Sequence, residues 1–354
     1  MFVTYLETVI LYCLNQIDNE RSISSVFHLL NGKKSSQTIQ DAHFFKLEHL
    51  FQTFPFLGRD DFKSKILLCS QMDWVSETSD QHYHVTTEGK AVLAKEMVEK
   101  PLPAFLNGWK YHSLTSVFWE RLSLLVQVCS NLIHHHTEYF PIQRKSDVQI
   151  WVKLFLQQKT KDRQALASEL YNEIISCLDS EPTLDPSILV IRFTGHKRFG
   201  LTGVQAAHEL NYEPSYYHLQ FLNIIHYMID EIHQRPTKYP LLKSIMSDLS
   251  QPSSFTISTS KTYHFIKQGF NLNEIANIRK LKRSTVEDHL VEIALMDKTF
   301  DISNLVPMEK QKMIMDAAEQ SPSKQLKLIR EWTDGASYFE IRLVLAKYGD
   351  SKWN

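Results

Sequence analysis

Apolar side chains recur at helical spacing from the first residues. Val3, Leu6, Val9, Ile10, Cys13, Leu14 and Ile17 share one face of a helix over residues 2–17. Ser22 stands where it can cap a second helix, which runs to Leu30 and stops at Asn31-Gly32, a C-cap signal. The polar tract from Lys33 to Thr38 leads into a third helix, predicted from Ile39 to Phe51, and Asp60 or Asp61 starts a fourth that ends at Cys69. The pattern then changes. Met72-Asp73-Trp74-Val75 and His82-Tyr83-His84-Val85-Thr86 read as two short strands around a polar loop, with a closing helix from Thr87. Helices followed by a small hairpin is the element order of a winged helix.

Pro101 and Pro103 punctuate the chain, and helical spacing returns from about residue 109 to 178, with Leu114, Val117, Phe118, Leu122, Leu125, Cys129, Val148, Trp151, Val152 and Phe155. Glu181 to Pro186 is a breaker. Beyond it, Thr202-Gly203-Val204-Gln205 has the form of a capping box opening a helix to Leu210, and a longer helix is predicted from Tyr216 to His233. Pro236, Pro240 and the Ser-rich stretch from Ser250 to Ser260 mark the next boundary. Residues 258–297 fit three short helices, and 307–348 two or three more. The predicted fold is mainly α, in three segments: an N-terminal winged helix with a small β-hairpin over 1–100, a central helical domain over 101–250, and a C-terminal helix-turn-helix bundle over 251–354.

The last segment carries the strongest local signal. Gly269 sits where a first helix must stop at positive φ, and Asn271 or Asn273 can cap the next. Ile275 and Ala276 face inward, the alanine small enough for a close helix crossing, and Leu281 fills the turn. Ser284-Thr285-Val286-Glu287 has capping-box form for a recognition helix whose buried stripe is Val286, Leu290 and Ile293. That stripe leaves Thr285, Asp288, His289 and Glu292 outward or near the edge. Arg279, Lys280, Lys282 and Arg283 surround the turn with no acid among them, a cluster suited to phosphate contacts. Glu287 and Asp288 on the recognition helix oppose a polyanion, and favour docking onto another protein instead.

Composition narrows the choices. The 354 residues are 43% hydrophobic and carry a net charge of -1, so a core is affordable and any attraction for nucleic acid is local, not global. Only 10 glycines are present, few for phosphate-cradling loops, and no G-x-x-x-x-G-K-[ST] motif occurs. Cys13, Cys69, Cys129 and Cys177 are widely separated and read as buried small apolar residues of a reducing compartment. Charges interrupt every long apolar run, and the N-terminus lacks a signal-peptide pattern, so a soluble, cytoplasmic protein with no membrane contact is expected.

The C-terminal segment resembles the helix-turn-helix at the end of many bacterial RecQ-type helicases, including a terminal helix at Tyr338-Phe339-Glu340-Ile341-Arg342-Leu343-Val344-Leu345. The N-terminal segment resembles the RecQ C-terminal winged helix through Leu30-Asn31-Gly32-Lys33-Lys34-Ser35-Ser36-Gln37, Tyr83-His84-Val85-Thr86-Thr87-Glu88-Gly89 and Leu93. As a whole the chain resembles the YpbB-like helix-turn-helix proteins of the Bacillota. Asn31 replaces the arginine often found in the helicase module, and the wing loop from Ser76 to Gln81 carries two acids and no base. Trp74, His82 and Tyr83 are the nearest candidates for an aromatic wing tip. The resemblance implies RecQ-type accessory domains detached from their motor.

Three further clusters stand out. His134-His135-His136 cannot converge on one ion from a helix, where neighbours point about 100° apart, so no metal is expected. Glu173, Asp179, Glu181 and Asp185 read as a solvated loop rather than catalytic carboxylates. In Gly195 to Ala207 the order of glycine, Thr cap and Gln-Ala-Ala echoes the second half of a helix-turn-helix, with Lys197 and Arg198 placed to touch phosphate. The function expected is a non-enzymatic, cofactor-free accessory protein of DNA repair and recombination, nucleoid-associated, binding duplex or forked DNA and a short RecQ-like helicase that lacks these domains. Its expected DNA-binding residues are Lys33, Lys34, Ser35, Ser36, Gln37, Lys197, Arg198, Arg279, Lys280, Lys282, Arg283, Ser284, Thr285 and His289. The alternatives are a stand-alone helix-turn-helix transcriptional regulator and a pure interaction scaffold.

Overall fold

The structure, a computed structural model, describes residues 4–159, 162–249, 255–321 and 325–349. It is mainly helical with one small hairpin, as the sequence pattern predicts. The N-terminal elements are α1 (Tyr5–Ile17), α2 (Ile23–Asn31), α3 (Ser36–Phe44), a 3-10 turn at Glu48–Leu50, α4 (Arg59–Gln71), β1 (Val75–Ser79), β2 (His82–Val85) and α5 (Thr87–Glu99). Next come α6 (Gly108–Tyr111), α7 (Thr115–Ile133), α8 (Ser146–Lys159), α9 (Arg163–Leu178), α10 (Ser187–Val190), α11 (Gly203–Glu209), α12 (Pro214–Gln234) and α13 (Pro240–Ile245). The last six are α14 (Ile257–Lys267), α15 (Leu272–Arg279), α16 (Arg283–Met296), α17 (Met308–Gln320), α18 (Leu326–Glu331) and α19 (Tyr338–Tyr348).

These elements form two compact units. One comprises residues 1–9 and 93–252, the other residues 10–92 and 253–354, so α1 and α5 are divided between them. The N-terminal winged-helix elements and the C-terminal helix-turn-helix therefore belong to one body. The expected boundary at 251 falls among residues 250–254, outside the described residues.

Two predicted elements shift. The third helix starts earlier, at Ser36, and ends at Phe44, because Lys46 takes a left-handed conformation (φ 55°) and Leu47 N–H turns back to the Ala42 carbonyl at 2.7 Å. The first strand begins at Val75, because Met72 and Asp73 (φ 57°) complete the turn that closes α4. β1 and β2 pair antiparallel, Val75 opposite Val85 and Glu77 opposite Tyr83. The tip of this wing is tied back: Ile23 N–H donates to the Gln81 carbonyl at 2.8 Å, and Thr78 Oγ1 to Asn19 Oδ1 at 2.5 Å. Trp74 is buried, so it packs instead of projecting from the wing.

The other unit is a helical bundle built around α7, α9 and α12, with Phe118, Leu122, Leu125, Leu170, Tyr217, Ile224 and Met228 in its core. Arg121 grips Asp248 with both terminal nitrogens, at 2.6 and 2.8 Å, and lies over the Trp151 ring. Glu173 accepts the free amide hydrogens of Leu241 and Leu242 at the start of α13. All four cysteines are buried. Among the described residues no helix is long and apolar enough to cross a membrane.

Candidate nucleic-acid interface

The helix-turn-helix forms as the sequence indicates at its first turn. α14 ends where Gly269 (φ 89°) lets Phe270 N–H reach the Phe265 carbonyl at 3.2 Å and Gly269 N–H the Ile266 carbonyl at 2.9 Å. Asn271 then opens α15 as a full capping box with Glu274. Ile275, Ala276 and Val286 make the small core, with Phe265, Ile266, Leu272 and Leu281 packed around it. α15 ends in the same hydrogen-bond pattern as α14, but on a lysine. Lys280 holds φ 52°, and Leu281 N–H donates to the Ala276 carbonyl at 2.9 Å.

That tight stop moves the start of the recognition helix. The N-cap of α16 is Lys282, whose side chain makes no cap hydrogen bond, and Ser284 lies exposed inside the first turn. The expected box of Ser284 with Glu287 is therefore corrected. Glu287 instead pairs with Arg283, Nε to Oε1 at 3.0 Å.

Two expected outward residues also lie inside. His289 is 7% exposed, with Nδ1 and Thr262 Oγ1 2.8 Å apart, and burial pulls its pKa down to about 4, so it is neutral. Glu292 is buried at the start of α14, accepting from Thr256 N–H and from Thr259 Oγ1 at 2.6 Å; burial raises its pKa despite these bonds. The reason is tertiary. α16 is packed by α14, α15, α19 and also by α3 of the N-terminal elements, so its body from His289 to Leu295 is buried. Arg279 turns inward as well: its guanidinium bonds the Ser258 carbonyl at 2.8 Å and the Thr262 hydroxyl, tying α15 to α14.

What remains at the surface is a compact cationic corner. Lys280, Lys282, Arg283 and Ser284 are exposed, and Thr285 is half-buried. The two carboxylates that the sequence sets against a polyanion are both neutralised by arginine. Glu287 is paired with Arg283, and Asp288 with Arg342 Nη1 at 2.7 Å. Arg342, which the periodicity gave no reason to single out, also donates from Nε to Gln40 Oε1 at 2.9 Å and from Nη2 to Ser36 Oγ. One guanidinium thus joins α3, α16 and α19.

Of the five N-terminal candidates, Lys33 and Lys34 are exposed on the loop that follows the Gly32 stop (φ 82°). Ser35 caps α3 by accepting from Thr38 N–H at 3.3 Å, Ser36 is held by Arg342, and Gln37 donates to Asp41 at 2.8 Å. The structure therefore engages the serines and the glutamine internally and leaves both lysines exposed, Lys33 Nζ lying 3.3 Å from His28 Nε2. Lys197 and Arg198 belong to the other unit, exposed on a tight turn bridged from Gly195 to Arg198. Beyond them, Thr202 and Gln205 form the predicted capping box. Ala206 and Ala207 are fully buried, Asn211 (φ 56°) stops α11, and Glu213 caps α12. Thr202, Ala207, Asn211 and Glu213 repeat the roles of Asn271, Ala276, Lys280 and Lys282 at one constant offset. The turn itself, Asn211-Tyr212-Glu213, carries no cation, so the repeated geometry lacks the exposed lysines of the C-terminal turn.

Among the described residues no group of three metal-ligating side chains is set to hold an ion. His134 and His196 stack face to face with centroids 4.4 Å apart, a geometry in which both ring planes cannot contain one metal.

A helix-turn-helix domain family matches residues 258–345. The chain is 36% identical over 349 residues to Protein YpbB of Bacillus subtilis (strain 168), covering 98% of both chains. No solved structure matches.

Proposed function

Because the chain belongs to the YpbB family, we propose that it is a non-catalytic DNA-binding accessory protein, which holds duplex DNA through phosphates and serves a short RecQ-like helicase lacking such domains in repair and recombination. The observation that carries the DNA reading is the corner at Lys280, Lys282, Arg283 and Ser284, exposed while Glu287 and Asp288 are each paired with an arginine. With the body of α16 buried, few side chains are left to read base edges, so binding is sequence-tolerant. This favours the accessory reading over a stand-alone regulator, which needs a broader exposed recognition face. Nucleoid association in the cytoplasm follows from the same chemistry. The helicase partnership is supported by the likeness of both ends of the chain to RecQ accessory modules. Affinity capture of the full chain from cell extract, followed by ATP hydrolysis and fork-unwinding assays of what is captured, tests it. A motor protein whose unwinding rises on adding the chain is the expected result; a chain that hydrolyses ATP alone, or captures RNA polymerase and no motor, refutes it.

A further inference from the structure

Phe56 is 99% exposed, yet the loop that carries it is firmly anchored. Gln52 N–H donates to the Leu29 carbonyl and Phe54 N–H to the Leu30 carbonyl, each at 2.9 Å, and Leu57 N–H closes a turn onto the Phe54 carbonyl at 3.1 Å. The side-chain amide of Asn31 then holds the carbonyls on either side of the ring, Pro55 at 2.9 Å and Leu57 at 3.4 Å. A loose loop would fold its aromatic ring down onto nearby apolar surface, because leaving it in water is unfavourable. Here the backbone is pinned so that the ring stands in water.

The anchoring residues lead directly into Gly32, Lys33 and Lys34, so the ring and the two lysines leave the same corner of α2. Lys33 Nζ lies 3.3 Å from His28 Nε2, and Arg59 covers the Phe27 ring at 5.0 Å. Burial, then Lys33, then Arg59 lower the pKa of His28, so the charges acting on it there are positive. The acids of the corner, Asp60 and Asp61, occupy the first turn of α4, where a helix N-terminus favours them.

We infer that this corner binds single-stranded nucleic acid, one unpaired base stacking on Phe56 while the flanking phosphates meet Lys33, Lys34 and Arg59. An exposed ring beside cations is the combination that grips single strands without reading sequence, because every base offers a π-face. Bases inside a duplex are already stacked, so the ligand is a single strand or the unpaired arm of a junction. The inference rests on the DNA reading above but uses different residues from the duplex-binding corner, so the two fail separately.

The test is fluorescence anisotropy of the full chain with a labelled oligothymidylate and, in parallel, a blunt duplex. Phe56→Ala weakens oligothymidylate binding by roughly 5- to 150-fold, the cost of one lost base stack, and leaves duplex binding and the melting temperature unchanged. Phe56→Trp restores binding, and its indole fluorescence is quenched on adding oligothymidylate. Lys33→Glu with Lys34→Glu weakens the same ligand. Parental oligothymidylate affinity in Phe56→Ala, or unquenched fluorescence in Phe56→Trp, overturns the inference while duplex binding stands. Loss of polyglutamate binding in Phe56→Ala with oligothymidylate binding intact also overturns it, and assigns the corner to an acidic protein segment.

Discussion

Arg342→Ala is the sharpest perturbation of the body that joins the two ends of the chain. The side chain of Arg342 is 18% exposed, and its three donors serve Gln40 and Ser36 of α3 and Asp288 of α16. Removing it leaves the side chain of Gln40, 3% exposed, without that donor. An unsatisfied buried acceptor costs roughly 1–3 kcal/mol. The Asp288 carboxylate is 37% exposed, so its lost ion pair is discounted to about 1 kcal/mol or less. With the bond to Ser36, the total is about 3 kcal/mol. For a unit of this size each kcal/mol lowers the melting temperature by about 2–4 °C, so the expected drop is roughly 6–12 °C. Arg342→Lys recovers little, because an ammonium group cannot span three partners held by a planar fork. The assay is a thermal melt of the full chain by circular dichroism, with amide hydrogen exchange to locate the loosening. Exchange should accelerate in α3, α16 and α19 together. A melting temperature within about 2 °C of the parent, or faster exchange in α19 alone, refutes the reasoning that one guanidinium fastens the N-terminal helices to the helix-turn-helix.

The corrected cap gives a paired expectation: Ser284→Ala is near neutral in thermal melts, whereas Asn271→Ala, which removes an observed capping box, costs about 1 kcal/mol. Gly269→Val costs roughly 1–3 kcal/mol from backbone conformation alone, since its φ is 89° and nothing lies within 4 Å of an added Cβ; an unchanged melt rejects the turn assignment. His289 and His49, both pulled down to about 4 by burial, contribute stability that is present above their unfolded value near 6.5 and lost as pH falls towards 4. Glu292, whose pKa is raised, works in the opposite direction, its contribution being lost as pH rises. Urea midpoints should therefore fall between pH 6.5 and 4, and less steeply in His289→Gln; equal slopes in the two proteins contradict the burial argument.

Local chemistry was legible in the sequence, and long-range packing was not. Gly269, Asn271, Ile275, Ala276, Val286 and the Thr202–Gln205 box each announce themselves through a residue type that one backbone position requires, and each stands where expected. Ser284 misled because the left-handed stop fell on Lys280, a residue with no turn preference, which brought the helix start forward to Arg283. His289, Glu292 and Arg279 read as surface residues because polarity implies solvent; their partners, Thr262, Thr259 and Ser258, lie on another helix that no periodicity could place against them. The same holds for α3 lying against α16. Residues so far apart in sequence meet through tertiary packing, and the trace in the chain is Arg342, a cation set within the apolar run from Ile341 to Ala346.

The proposed function assigns DNA phosphates to Lys280, Lys282 and Arg283, while Arg279 holds α15 to α14. Titrating duplex affinity against salt for the full chain separates these roles, because each phosphate contact contributes about 0.9 to the slope of log affinity against log salt. Replacing Lys280, Lys282 and Arg283 together by alanine should flatten that slope by roughly 2–3 units, with a loss of at most about 1 kcal/mol of stability from the exposed Arg283–Glu287 pair. Arg279→Ala should lower the melting temperature and leave the slope of the folded protein intact. A slope unchanged in the triple variant, or duplex binding absent in the parent, contradicts the account.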